Sequence, residues 1–185
     1  MNPPLVPPDR SISNSYWIIP GRFLAGEYPG AKDEEEARAK IRRFLQAGVT
    51  RFIDLTHPGE SNLRPYAGML AEEAQRLEGG RPGKTVSHTR LPIDDMSTPS
   101  LAEMGRIQAV IQKALRDGET IYLHCWGGRG RTGTVVGCYL VEQGIPGEQA
   151  LEQVRTWRQV TDKAHLPSPE TYAQQAMVLN WSPLP

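Results

Sequence analysis

The chain has 185 residues, 38% of them hydrophobic, which suits one globular domain with a single core. Its 21 basic side chains balance 21 acidic ones, so it lacks the field of a general nucleic-acid or membrane-surface binder. Two cysteines cannot build a disulfide framework, no leader resembles a signal peptide, and no apolar run reaches spanning length. The default expectation is therefore a reducing, cytoplasmic location, with no nucleic-acid partner and no stable membrane association. Oligomeric state is left open.

The opening MNPPLVPPDR is proline-rich and aperiodic, so residues 1–10 are expected to form a flexible arm and residues 11–185 one domain. YWIIP and GRFLAG read as short β segments joined by Pro20-Gly21. Asp33, followed by Glu34, Glu35 and Glu36, starts a helix that Gly48 ends, with Ala37, Ile41, Phe44 and Leu45 on one face. Val49 to Leu55 reads as a strand, and after the loop THPGESNLRP a helix runs from about Tyr66 to Leu77. TVSHTRLPI is a third strand candidate and leads into DDMSTPS. A long amphipathic helix follows, carrying Leu101, Met104, Ile107, Val110, Ile111, Ala114 and Leu115; Ser100 and Glu103 are spaced as its capping box and Gly118 closes it. The strand TIYLH, a glycine-rich loop, a helix from about Thr132 to Gln143, another after Pro146 and a last one after Pro169 complete the pass.

Strands alternating with helices predict an α/β fold with a mainly parallel central sheet flanked by helices. Such sheets bind ligands beyond the carboxyl ends of their strands. That singles out three loops: THPGESN, PIDDMSTPS and CWGGRGR.

The third is the most informative. A strand ending at His124, a turn with Gly127, Gly128 and Gly130, and a helix opening near Thr132 form an anion cradle. Successive backbone N–H groups converge there, and the helix adds its positive end. Cys125 sits at its floor, where the same field favours thiolate over thiol and so makes a nucleophile. Arg131, six positions on, can return across the turn with a planar fork that matches phosphate oxygens. A thiolate attacking a phosphate ester also needs its leaving oxygen protonated, and PIDDMSTPS offers Asp94 and Asp95. The histidines His57, His88 and His165 are dispersed without metal-ligand spacing, so neither a metal nor a cofactor is expected.

H-C-W-G-G-R-G-R-T-G resembles the signature of the cysteine-dependent protein tyrosine phosphatase superfamily, in particular its small dual-specificity, kinase-associated-phosphatase-like members. The resemblance implies that family's fold and a cysteinyl-phosphate intermediate on Cys125. It implies that backbone amides of Trp126, Gly127, Gly128, Arg129, Gly130 and Arg131, with the Arg131 side chain, hold the phosphate. His124 would orient the loop, and the Thr132 hydroxyl would ease departure of the sulfur. The family's P-I-x-D acid loop places the proton donor on Asp95 and leaves Asp94 as the alternative. SPETYAQQ resembles its glutamine-bearing loop, making Gln174 the candidate for orienting water. Asp54 is expected to anchor a neighbouring loop, while Glu60 and Tyr66 would rim the pocket. The expected substrate is a phosphorylated protein or peptide carrying phosphotyrosine, with phosphoserine and phosphothreonine as further targets. A phosphoinositide or other small-molecule phosphatase recruiting Arg129, an RNA 5′-triphosphatase and a non-catalytic phospho-binding module are the alternatives.

Overall fold

A computed structural model describes residues 12–78 and 85–182. The N-terminal arm expected over residues 1–10 lies outside the described residues. Five strands form one sheet in the order β1-β2-β5-β3-β4: β1 (Ser15–Ile19), β2 (Phe23–Gly26), β3 (Arg51–Asp54), β4 (Ser87–Arg90) and β5 (Ile121–His124). β1 and β2 make an antiparallel hairpin, whereas β2, β5, β3 and β4 are parallel, so the expected α/β sheet is found. Parallel register puts Gly26, His124, Asp54 and Arg90 in one row at the carboxyl edge.

Alternation along the strands divides the core. Leu24, Phe52 and Tyr122 face α1 (Glu34–Gln46) and α2 (Ala67–Glu78), packing with Ile41, Phe44, Tyr66 and Leu70. Phe23, Ala25, Ile53, Ile121 and Leu123 face the other way, toward α3 (Leu101–Arg116), α4 (Gly130–Glu142), α5 (Gly147–Trp157) and α6 (Tyr172–Leu179). Asp33 caps α1 and the Ser100/Glu103 capping box opens α3, both as the spacing predicts. Leu101, at the first position of α3, stays exposed rather than joining the buried face.

The strand expected from Val49 to Leu55 shortens to β3. Val49 N–H is spent on Phe44 O, closing α1, while Leu55 N–H still bonds the O of His124, the last residue of β5, and carries the β3–β5 pairing one step past Asp54. Among the described residues no helix is long and apolar enough to cross a membrane.

Candidate active site

Cys125 follows β5 directly and is buried. The loop after it is pressed onto the end of β2: Tyr28 N–H donates to Trp126 O, and Gly128 takes a left-handed φ of 65°. A Cβ on Gly128 would lie 2.4 Å from the Gly26 carbonyl carbon, so only glycine fits. The loop ends at α4, whose amino end carries no side-chain cap. α3 and α6, by contrast, each open with a full capping box. The first N–H groups of α4 are thus left for an anion.

Among the described residues Arg131 is the largest fully buried side chain, 1% exposed. Its Nη1 and Nη2 donate to the two carboxylate oxygens of Glu60 at 2.7 and 2.6 Å, and Nη1 also donates to Ile93 O at 3.0 Å. The Asp95 carboxylate lies 3.0 Å from Nη2. Nε has no partner. Three loops, from β3, β4 and β5, therefore meet on one guanidinium. Burial pushes the Glu60 carboxyl up, but the hydrogen bonds from Arg131 and from His57 N–H, together with the charge of Arg131, outweigh it and hold the group below the usual range.

The two candidate acids point apart. Asp94 is bound to His57 Nε2 at 2.8 Å and is largely in solvent, whereas Asp95 turns to Arg131. Met96, immediately after them, has a left-handed φ of 61°.

His124 is fully buried. Its Nδ1 lies 3.1 Å from Cys125 O, an acceptor, so Nδ1 carries the proton and Nε2 accepts from the Tyr66 hydroxyl at 2.7 Å. Burial drives its pKa down to about 4 despite the attraction of Asp54, so the ring is neutral at physiological pH. Asp54 is a hub: it accepts from Thr56 N–H and hydroxyl and from His88 and Arg90. Burial raises its pKa, but those donors and His124 hold it well below the usual carboxylate range. It thereby joins the start of the Glu60 loop to β4.

Thr132 is buried and its hydroxyl has no hydrogen-bond partner among the described residues. Gln174 is buried too, and its Oε1 accepts from Glu170 and Thr171 N–H while Nε2 donates to Ser97 O. Far from being a solvated helical glutamine, it ties α6 to the acid loop, and its amide lies 3.0 to 3.1 Å from where a Gly130 Cβ would sit. Arg129 pairs with Glu170, and Trp126 is exposed. The roles of Glu60 and Tyr66 are sharper than the pocket rim expected of them. Among the described residues no group of three or more His, Cys, Asp or Glu could hold a metal ion.

A buried cysteine at the mouth of an uncapped helix, faced by a buried arginine and an aspartate from a separate loop, defines a cysteine-dependent phosphatase of the protein tyrosine phosphatase superfamily. The family model for the Swiss Army Knife protein DSP-PTPase phosphatase domain (PTP-SAK) matches residues 12–178, and the chain belongs to that family. It is 34% identical over 137 residues to a phosphatidylglycerophosphate phosphatase of Arabidopsis thaliana, covering 74% of this chain and 52% of the relative. It is 35% identical over 170 residues to a phosphatidylinositol 3,4,5-trisphosphate 3-phosphatase and protein-tyrosine-phosphatase of the same plant, covering 90% of this chain and 37% of the relative. The chain thus spans about half, or less, of the length of these relatives. The crystal structure of Tk-PTP in its active form superposes with a TM-score of 0.63 at 22% identity, covering 90% of this chain and 93% of that one, which shows the fold.

Proposed function

We propose that the protein hydrolyses phosphate monoesters through a phosphocysteine on Cys125, with phosphotyrosine in a protein or peptide as its substrate. The observation that carries this reading is the geometry of Arg131. Glu60 grips the terminal nitrogens, so the Nε edge remains for a phosphate, while the Asp95 carboxylate stands at the same guanidinium. In the first step the Cys125 thiolate attacks phosphorus, the P–O bond to the leaving group breaks, and Asp95 gives that oxygen its proton. Arg131 Nε, with the amides from Trp126 to Arg131, offsets charge on the equatorial oxygens. In the second step water attacks the phosphocysteine, Asp95 takes its proton, and inorganic phosphate leaves as the thiolate re-forms. The unpartnered Thr132 hydroxyl is free to donate to the departing sulfur. Gln174, beside Gly130, orients the water through the second hydrogen of Nε2, since Nε2 donates once to Ser97 and Oε1 is spent on the α6 cap.

The names of the plant relatives favour a second reading, a phospholipid headgroup as substrate. Arg129, the side chain that would read a second phosphate, is here engaged by Glu170 and would have to be released. The test is turnover of matched phosphotyrosine, phosphothreonine and phosphoinositide substrates by the wild type and by Cys125→Ser. The wild type should turn over phosphotyrosine fastest, and the serine variant should retain vanadate binding while losing turnover. Residual Cys125→Ser turnover within tenfold of wild type removes the nucleophile assignment; faster lipid than peptide turnover moves the substrate to the second reading.

A further inference from the structure

His57, in the loop after β3, touches both sides of the clamp around Arg131. Its backbone N–H donates to Glu60 Oε2 at 3.1 Å and its carbonyl accepts from Glu60 N–H at 3.2 Å, so the main chain of His57 holds Glu60 in place. The ring reaches the other way, to the acid loop, where Nε2 lies 2.8 Å from Asp94 Oδ1. A carboxylate only accepts, so Nε2 is the donor whether or not the other ring nitrogen is protonated. Glu60 in turn receives both terminal nitrogens of Arg131, and the Asp95 carboxylate lies 3.0 Å from Nη2 of the same guanidinium. The contacts therefore close a ring that runs from His57 through Glu60, Arg131 and Asp95 to Asp94 and back to the His57 imidazole.

The rest of the acid loop is tied through its backbone. Ile93 N–H donates to Leu55 O at 3.1 Å before the two aspartates, and Gln174 Nε2 donates to Ser97 O at 3.0 Å after them. Between these anchors the chain turns, with Ser97 N–H on Asp94 O at 3.1 Å and Met96 at a φ of 61°. Within the turn the two carboxylates are held by side chains alone, Asp95 by Arg131 and Asp94 by His57. The second hold is at the surface, with the His57 side chain 45% exposed and that of Asp94 83% exposed, and a pair so exposed adds little to stability. Its consequence is directional: it fixes which way the turn presents the neighbouring carboxylate.

We propose that the His57 ring is a positioning residue for the proton donor: by holding Asp94 it keeps Asp95 turned to the guanidinium and the leaving oxygen, while the His57 main chain separately keeps Glu60 on Arg131. This rests on Asp95 being the acid, and the test separates the two. kcat/KM is measured on a series of aryl phosphates of rising leaving-group pKa, alongside the vanadate Kd and a melting curve. His57→Leu removes the ring contact and leaves the backbone bonds to Glu60. It should lower kcat/KM about threefold to tenfold for the poorest leaving group, spare the best one, and so steepen the leaving-group dependence. Vanadate Kd should stay within twofold of wild type, because the grip of Glu60 on Arg131 does not pass through the ring. His57→Gln, which keeps an N–H donor near the place of Nε2, should restore most of the loss. Asp94→Leu breaks the same contact from the other side; it should match His57→Leu, and the double variant should be no worse than either. An equal loss for every leaving group, or a weakened vanadate Kd, would mean that the ring merely braces the site, and the inference falls. It falls alone if Asp95→Asn steepens the dependence while folded His57→Leu and Asp94→Leu do not; if Asp95→Asn itself leaves the dependence unchanged, the acid assignment fails and the inference falls with it.

Discussion

Glu60 is the side chain on which the arginine's geometry depends, and Glu60→Gln tests it with little change of shape. The carboxylate receives two short charge-assisted bonds from Arg131, at 2.6 and 2.7 Å. Glutamine keeps one acceptor and turns an NH2 group toward the other guanidinium nitrogen. Removing one partner of a buried ion pair costs about 3–5 kcal/mol when the other is left uncompensated. Two facts reduce that here: the Glu60 side chain is 12% exposed, and Arg131 retains Ile93 O and Asp95. A loss of about 2 kcal/mol in transition-state stabilisation is expected, or roughly thirtyfold in kcat/KM. The assay is kcat/KM on an aryl phosphate, together with the vanadate Kd, which reads oxyanion grip without chemistry, and a melting curve to confirm folding. Both kinetic and binding losses should appear, while Cys125 alkylation at alkaline pH stays as in the wild type. If kcat/KM and vanadate Kd remain within threefold of wild type, Glu60 does not set the Arg131 orientation and the reasoning fails.

Two further outcomes follow from the site. Asp54 has its folded pKa below the unfolded value, so its contribution to stability is complete above the ordinary carboxylate pKa of about 4 and is lost as pH falls through the folded value. Asp54→Asn should therefore lower the denaturant midpoint at neutral pH by an amount that shrinks in acid, and a deficit constant from neutral to strongly acidic pH would contradict this. Asp95→Asn should slow phosphocysteine formation and flatten the alkaline limb of the pH profile, most for poor leaving groups, while Asp94→Asn leaves that leaving-group dependence almost unchanged; the reverse pattern would move the proton donor to Asp94.

What the sequence discloses about this site depends on whether the parts are local. Cys125, the glycines and Arg131 lie on one loop running into one helix, so their spacing alone carries the cradle. The partner of Arg131 is 71 residues away and arrives only because β3 and β5 are neighbours in parallel register. Nothing in ESN announces that. Gln174 was open to a sharper reading, because T-x-x-Q before a helix is also the pattern of a capping box, and Thr171 and Gln174 form one. The run from Val49 to Leu55 could not show where pairing begins, since a ladder starts only where backbone groups are free of other partners, and Val49 N–H is taken by Phe44 O.

The adjacent aspartates show the limit most plainly. In composition and neighbourhood Asp94 and Asp95 are equivalent, and a one-residue change of register would exchange them. Two long-range contacts separate them, His57 reaching Asp94 from the loop after β3 and Arg131 reaching Asp95 from α4, while left-handed Met96 turns the chain directly behind the pair. Asp94 and Asp95 open a turn that Ser97 N–H closes on Asp94 O, so fixing the direction of one side chain constrains the other. The grip of His57 on Asp94 therefore helps to aim Asp95, and the residue left in solvent still takes part in placing the one at the arginine.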